Sequence, residues 1–253
     1  MPRIDLNADL GEGFGRWRLP HDQELLELVT SASIACGFHA GDPQVMLETA
    51  TAAARRRVTV GAHPSYPDLL GFGRREMDAS PEEVRAYVIY QVGALAACCV
   101  AAGIRIRYVK PHGALYNRAA RHAATADAIA DAVHSVDPAL VLLGLAGSEL
   151  LAAGRRAGLL VAAEAFVDRN YEPDGTLTPR SRSDAVLTDP SACAERAVRM
   201  VLDHVVIARD GTRLDVSPAS LCVHGDGPAA LALLQAVRGR LGDAGVDLAP
   251  FAA

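Results

Sequence analysis

Short apolar runs alternate along the chain with longer segments of helical period, and most apolar runs stop at a cluster of polar residues and glycine. Ile4-Asp5-Leu6-Asn7 reads as a brief strand, followed by a glycine-rich loop over 8–20. Residues 21–30 read as a helix with apolar positions at Leu25, Leu26, Leu28 and Val29. A second strand at 33–36 leads through Gly37-Phe38-His39-Ala40-Gly41-Asp42 into a helix over 43–57. Pro43 suits its first position, and Asp42 can cap its free N–H groups. A third strand at 58–60 ends in the loop His63-Pro64-Ser65-Tyr66-Pro67-Asp68. Ser80-Pro81-Glu82-Glu83 then starts a helix that continues to about 102. Strand four at 106–109 runs into a polar loop from Lys110 to Asn117, with helix expected over 121–136. Further strands are expected at 140–143, 160–163 and 221–223, and helices from about 148, over 190–204 and over 229–244. The segments 205–209 and 212–216 flank Asp210-Gly211, a strong hairpin signal.

About seven β-then-α units with no linker or repeat require a parallel sheet with helical crossovers. A doubly wound open sheet and a closed barrel both fit that alternation. Polar clusters after strands one, two, three, four, six and seven favour the barrel, which gathers all strand C-termini on one face. One domain is expected over 1–253, with a small β-hairpin at about 205–216.

The 253 residues are 50% hydrophobic and 22% charged, enough to bury a large core. A net charge of −5, with no basic run longer than Arg55-Arg56-Arg57, argues against a nucleic-acid surface. The longest apolar run, 92–104, is too short to span a bilayer. The first residues lack a secretory apolar region, and five cysteines without metal spacing read as reduced thiols, so a cytoplasmic location is expected. Lys110 is the only lysine beside 24 arginines, which sets it apart from ordinary surface charge.

Four of the eight histidines, His39, His63, His112 and His224, fall at strand C-termini beside glycine or proline. With Asn7, Asp9, Glu12, Asp42, Asp68, Asn117, Glu164, Asp168, Arg169 and Asp226 they form a ring suited to acid–base work on a polar small molecule. In this reading Asp42 orients His39 and Asp226 orients His224. Lys110 donates to a developing oxyanion, and Arg169 and Arg180 offer a planar fork to a carboxylate or phosphate. A divalent metal, if held, would use His39, His63, His224 and Asp9. No nucleotide-binding fingerprint of a known type occurs.

Five stretches, Asp5-Leu6-Asn7-Ala8-Asp9-Leu10-Gly11-Glu12, Ile34 to Pro43, Gly61 to Asp68, Val109 to Asn117 and Val223 to Asp226, closely resemble the LamB/YcsF family. The resemblance covers nearly the whole chain. It implies a distorted seven-stranded (β/α) barrel, TIM-barrel-like and of the glycoside hydrolase/deacetylase type. It also implies one component, designated A, of an ATP-dependent 5-oxoprolinase, opening the lactam of 5-oxoproline to glutamate with partner subunits B and C and ATP as co-substrate. The family motif positions present here are Asp9, Glu12, His39, Asp42, His63, Lys110, His112, Asp168, Arg169, His224 and Asp226. Ser33 stands where the family usually has Asn, and Asp184 where Gly is usual. Two other readings remain open from the residues: a metal-dependent sugar or polysaccharide deacetylase, and a non-catalytic binding subunit of a larger complex.

Overall fold

In the computed structural model, which describes residues 1–19 and 21–252, the chain closes into a parallel barrel. The elements in order are β1 (Arg3–Leu10), α1 (Asp22–Leu25), β2 (Ser31–Ala35), α2 (Pro43–Arg56), β3 (Thr59–His63), α3 (Pro81–Ala101), β4 (Ile106–Val109), α4 (Gly113–Ala119), α5 (Ala123–Val136), β5 (Val141–Leu145), α6 (Glu149–Arg156), β6 (Val161–Phe166), α7 (Pro190–Val198), β7 (Val205–Ile207), β8 (Arg213–Asp215), β9 (Ser220–Val223), α8 (Ala230–Asp243) and β10 (Asp247–Leu248). Seven strands form the ring β1-β2-β3-β4-β5-β6-β9, and β9 pairs back onto β1 through Asp5↔Ser220 to Ala8↔Val223. The short β10 adds in parallel to the start of β1, outside the ring. The expected hairpin is present as the antiparallel pair β7–β8.

Alternation in β1 shows how the layers form. Leu6, Ala8 and Leu10 are fully buried and join the apolar cluster that includes residues of the surrounding helices. Asp5, Asn7 and Asp9 share the opposite face and make hydrogen bonds across the barrel interior. That interior is polar for much of its height. At its lower end Thr30, Ser31 and Ser220 hydroxyls all donate to Asp5. Burial pushes the Asp5 carboxyl up to about 6 against those hydrogen bonds. Ser33 on β2 meets the Tyr108 hydroxyl at 3.1 Å, and the Tyr108 ring lies edge-on to Phe251, 5.0 Å between centroids. A Cβ on Gly61 would lie 2.3 Å from the Tyr108 ring, so β3 needs glycine there.

Capping explains the helix starts that sequence signals identify. Ser80 and Glu83 form a complete capping box on α3, and Asp42 accepts from Gln44 and Val45 at the start of α2. By length and composition α3 alone among the described helices is apolar enough to cross a membrane; here it packs on α2, α5, β3 and β4.

Three expectations change. The helix expected over 21–30 is the single turn α1 followed by further turns, because Thr30 is drawn to the barrel wall: its hydroxyl donates to Asp5 and accepts from the Leu6 N–H. The loop expected over 110–117 contains α4, which begins at Gly113 with φ of 57°. Strand six continues to Phe166, which places Glu164 in the barrel wall rather than in a loop. The 8–20 loop ends at Pro20, outside the described residues.

Candidate active site

The C-terminal ends of the strands open into a cavity of about 620 Å³. Asp9, His63, Lys110, His112, Phe166 and His224 lie in its wall, and Arg74, Arg169, Arg180, Arg182 and Arg209 line it from the loops.

Lys110, one residue beyond β4, is buried in the barrel axis. Its ammonium donates to Asn7 Oδ1 at 3.1 Å and Asp9 Oδ1 at 2.7 Å, and lies 3.0 Å from Glu164 Oε1 and 3.2 Å from Cys222 Sγ. Burial alone would push this ammonium down, but Asp9, Cys222 and Glu164 together hold it well above the ordinary lysine value. An ammonium has three protons, and three oxygens already face them. For Lys110 to act as the expected oxyanion donor, a substrate oxygen would have to displace an internal partner. Asn7 likewise bonds Glu164, Ser220 and the Leu221 carbonyl inside the barrel, and Tyr116 closes the same network by donating to Glu164 Oε2.

Around this ion cluster sit three buried histidines. His63 Nδ1 lies 2.7 Å from the Lys110 carbonyl and His112 Nε2 lies 2.9 Å from the Phe72 carbonyl. A carbonyl only accepts, so each of those nitrogens carries a proton. The remaining nitrogens, His63 Nε2 and His112 Nδ1, face each other at 3.0 Å. His39 stacks on His112 with ring centroids 3.8 Å apart, and its Nε2 lies 3.2 Å from Glu12 Oε1. His39 Nδ1 is buried with no hydrogen-bond partner. Burial, and then the neighbouring histidines, hold both His39 and His112 well below the ordinary imidazole value. Burial and then Asp9 push Glu12 well above the usual carboxylate range. Asp9 is the reverse: burial opposes its charge, yet His63 and Lys110 hold it well below that range. Glu12, His39, His63 and His112 each bring one ligand-type atom to within 4.8 Å of the others, so this group can hold a metal ion. The set expected from sequence, with Asp9 and His224, is not the one that converges.

On the other side of the cavity, His224 Nδ1 lies 2.9 Å from Asp168 Oδ2, and the His224 N–H also bonds that oxygen at 3.2 Å. Burial opposes the charge of Asp168, but His224 keeps its carboxyl below the usual range. The His224 side chain is 13% exposed, against 0, 1 and 4% for His39, His63 and His112.

Two expected pairings are thus corrected. The carboxylate on His39 is Glu12, and the one on His224 is Asp168. Asp42 instead caps α2 and accepts from the Gly15 N–H at 2.7 Å, which ties the 11–15 loop to α2. Asp226 pairs with Arg74 at 2.6 Å. Asp68 binds Arg75 and the Gly71 N–H, fixing its own loop. Arg169 directs Nε and one terminal nitrogen to the Ala185 and Thr178 carbonyls, and burial lowers it to about 10. Arg180 lines the cavity and makes no hydrogen bond or ion pair among the described residues. Asn117 lies on the exposed side of α4, at the cavity wall. Arg74, Phe72 and Phe166 are not singled out from the sequence, because their importance comes only from the fold that brings them here.

The geometry can be set beside known proteins. A protein of Methylococcus capsulatus, named as the A component of 5-oxoprolinase, is 56% identical over 97% of this chain and 95% of its own length. The protein of the same name from Bacillus subtilis is 52% identical over 98% of this chain and 96% of its own length. The crystal structure of a lactam utilization protein from Thermus thermophilus superimposes with a TM-score of 0.92 at 49% identity, covering 98% of this chain and 99% of that one. The catalytic domain of a peptidoglycan N-acetylglucosamine deacetylase from Eubacterium rectale, 12% identical with a TM-score of 0.52, covers 98% of this chain and 88% of its own and shares the fold alone. The LamB/YcsF family model matches residues 4–253, and the chain belongs to that family.

Proposed function

We propose that this chain is the A component of a 5-oxoprolinase and opens the lactam of 5-oxo-L-proline to L-glutamate, coupled to conversion of ATP to ADP and phosphate. The observation that carries the reading is full-length similarity at 50% identity or more to proteins named as that component. The geometry supplies a matching chemistry.

A lactam is an unstrained amide and resists water until its carbonyl is activated. Transfer of the γ-phosphoryl group of ATP to the lactam oxygen makes that carbon electrophilic. Water can then add as its proton passes to His224, whose Nδ1 is anchored on Asp168 and whose ring borders the cavity. The same imidazole returns the proton to the ring nitrogen as the C–N bond breaks, and a second water releases phosphate. Asp168 fixes the tautomer and stabilises the charged ring, the usual work of a buried carboxylate behind a histidine. Arg180, unpaired at the cavity wall, suits the substrate carboxylate better than Arg169, whose donors are engaged. Lys110 acts at one remove, pairing with Asp9 and Glu164 beneath the reacting centre and holding Asp9 ionised. Loss of a buried partner from such a network leaves uncompensated charge.

The chain carries no recognised phosphate loop, so ATP handling is assigned in part to the B and C partners, and the assembly to the cytoplasm, in keeping with five free cysteines. The test is release of ADP and glutamate from 5-oxoproline, with this chain alone and with the B and C partners added. Stoichiometric ADP and glutamate with all three, and little with this chain alone, is expected. ADP without glutamate from the full set would overturn the reading.

A further inference from the structure

The histidine cluster contains a contact that two neutral imidazoles in these tautomers do not satisfy. The Lys110 carbonyl takes the Nδ1 proton of His63, and the Phe72 carbonyl takes the Nε2 proton of His112. With one proton on each ring, His63 Nε2 and His112 Nδ1 face each other at 3.0 Å with no proton between them, and Asp9 Oδ2 lies 3.4 Å from the same His63 nitrogen. Glu12 Oε1 lies 3.5 Å from His112 Nδ1 and 3.2 Å from His39 Nε2. Lone pairs gathered this way need a positive charge between them, either a shared proton or a metal ion.

The geometry points to a divalent transition-metal site built from Glu12, His39, His63 and His112, in which the ion supplies the missing positive charge. Metal–donor bonds of about 2.0–2.2 Å in a tetrahedron place donors about 3.3–3.6 Å apart. Three of the donor–donor edges here are 3.0, 3.2 and 3.5 Å, one within that range and two slightly tighter, and all four donors lie within 4.8 Å of one another. The outer contacts agree as well. Metal-binding histidines typically donate their second ring proton to a carbonyl or carboxylate, as His63 and His112 do here. Phe72 reaches its position with φ of 54°, a conformation costly for a bulky residue, and that backbone presents the carbonyl to His112. Gly73 beside it is obligatory, since a Cβ there would strike Ser65, His112 and His39. The donor set, three imidazoles and one carboxylate without thiolate, suits zinc or a neighbouring first-row ion rather than magnesium or calcium. Because His63 and His112 also line the cavity, such an ion would be reached from the substrate side.

This inference stands apart from the lactam reading, because its test needs neither substrate nor ATP. The full chain is stripped with a chelator, dialysed and titrated with zinc by calorimetry, and cobalt is substituted for optical spectroscopy. About one zinc per chain and a visible cobalt spectrum are expected. Glu12→Gln and His112→Ala should each weaken zinc binding at least tenfold and alter the cobalt bands, while Asp168→Asn retains both. Glu12→Gln preserves shape, so it remains informative if His112→Ala fails to fold. Absence of stoichiometric zinc uptake by the wild-type chain, or uptake unchanged in Glu12→Gln, would overturn the site in favour of two imidazoles sharing one proton.

Discussion

The two sides of the cavity hold the same residue type in opposite conditions. On the β1–β4 side, His39, His63 and His112 are dry, close together and locked by carbonyls and Glu12. On the β6–β9 side, His224 stands alone on Asp168, partly open and among arginines. Burial decides what each can do. A dry imidazole with its tautomer fixed is a good ligand and a poor carrier of protons to solvent. An accessible imidazole backed by an ionised carboxylate is suited to moving them. The β1 strand repeats the lesson with carboxylates: Asp5, bonded to hydroxyls, is raised by burial to about 6, whereas Asp9, four residues on, is buried too but held low by His63 and Lys110.

The largest expected effect breaks the dry side. Lys110→Ala removes the lysine cation bonded to Asp9 and Glu164, and loss of one partner from a buried ionic network costs about 3–5 kcal/mol. Thermal denaturation should show a melting temperature lower by about 10 °C or more, with no measurable turnover. Lys110 falls where the sequence reads a polar loop, and its burial there is what makes its loss costly to the fold.

On the open side, Arg180→Ala should raise KM for 5-oxoproline about tenfold while kcat changes little, as loss of one charge-assisted contact predicts. Steady-state kinetics with the proposed B and C partners added separate the two constants.

A pH experiment sharpens the contrast inside β1. The folded-state pKa of Asp5 is raised, so its contribution to stability is full below about 3.9 and is lost as pH rises through about 6. Asp5→Asn does not titrate there. The melting temperature of the mutant minus that of wild type should therefore climb between pH 4 and 6 by about 5 °C and then level off. His39 and His112 titrate in the opposite sense, since their folded pKa values are lowered, but they are common to both proteins and cancel in the difference.

The smallest effect concerns Asp42. As a helix cap it should cost about 1 kcal/mol on change to Ala, or about 2–4 °C in melting temperature, recovered largely by Asp42→Asn.

These outcomes also mark what was legible in the sequence. Seven strands and their parallel pairing follow from the alternation of short apolar runs with helical segments, and the polar ring follows because a closed barrel gathers all strand C-termini on one face. Asp42 and Ser80 as caps follow from local hydrogen-bonding rules. The partners of the histidines do not. His39 meets Glu12 across 27 residues and His224 meets Asp168 across 56, whereas the nearby Asp42 and Asp226 are committed elsewhere. Short sequence separation suggests such pairings, but loop conformation decides them. The metal-type cluster was hidden for the same reason, since its four residues come from four strand ends and have no local spacing.

The central claim is the division between a dry binding side and an open proton-transfer side. Its most direct test is glutamate formation from 5-oxoproline and ATP by the reconstituted enzyme carrying His224→Gln, which keeps the side chain's size and removes its titration. A rate at least 100-fold below wild type, with an unchanged melting temperature and unchanged zinc content, is the predicted result. A rate within threefold of wild type would contradict it and move the proton transfer to another group.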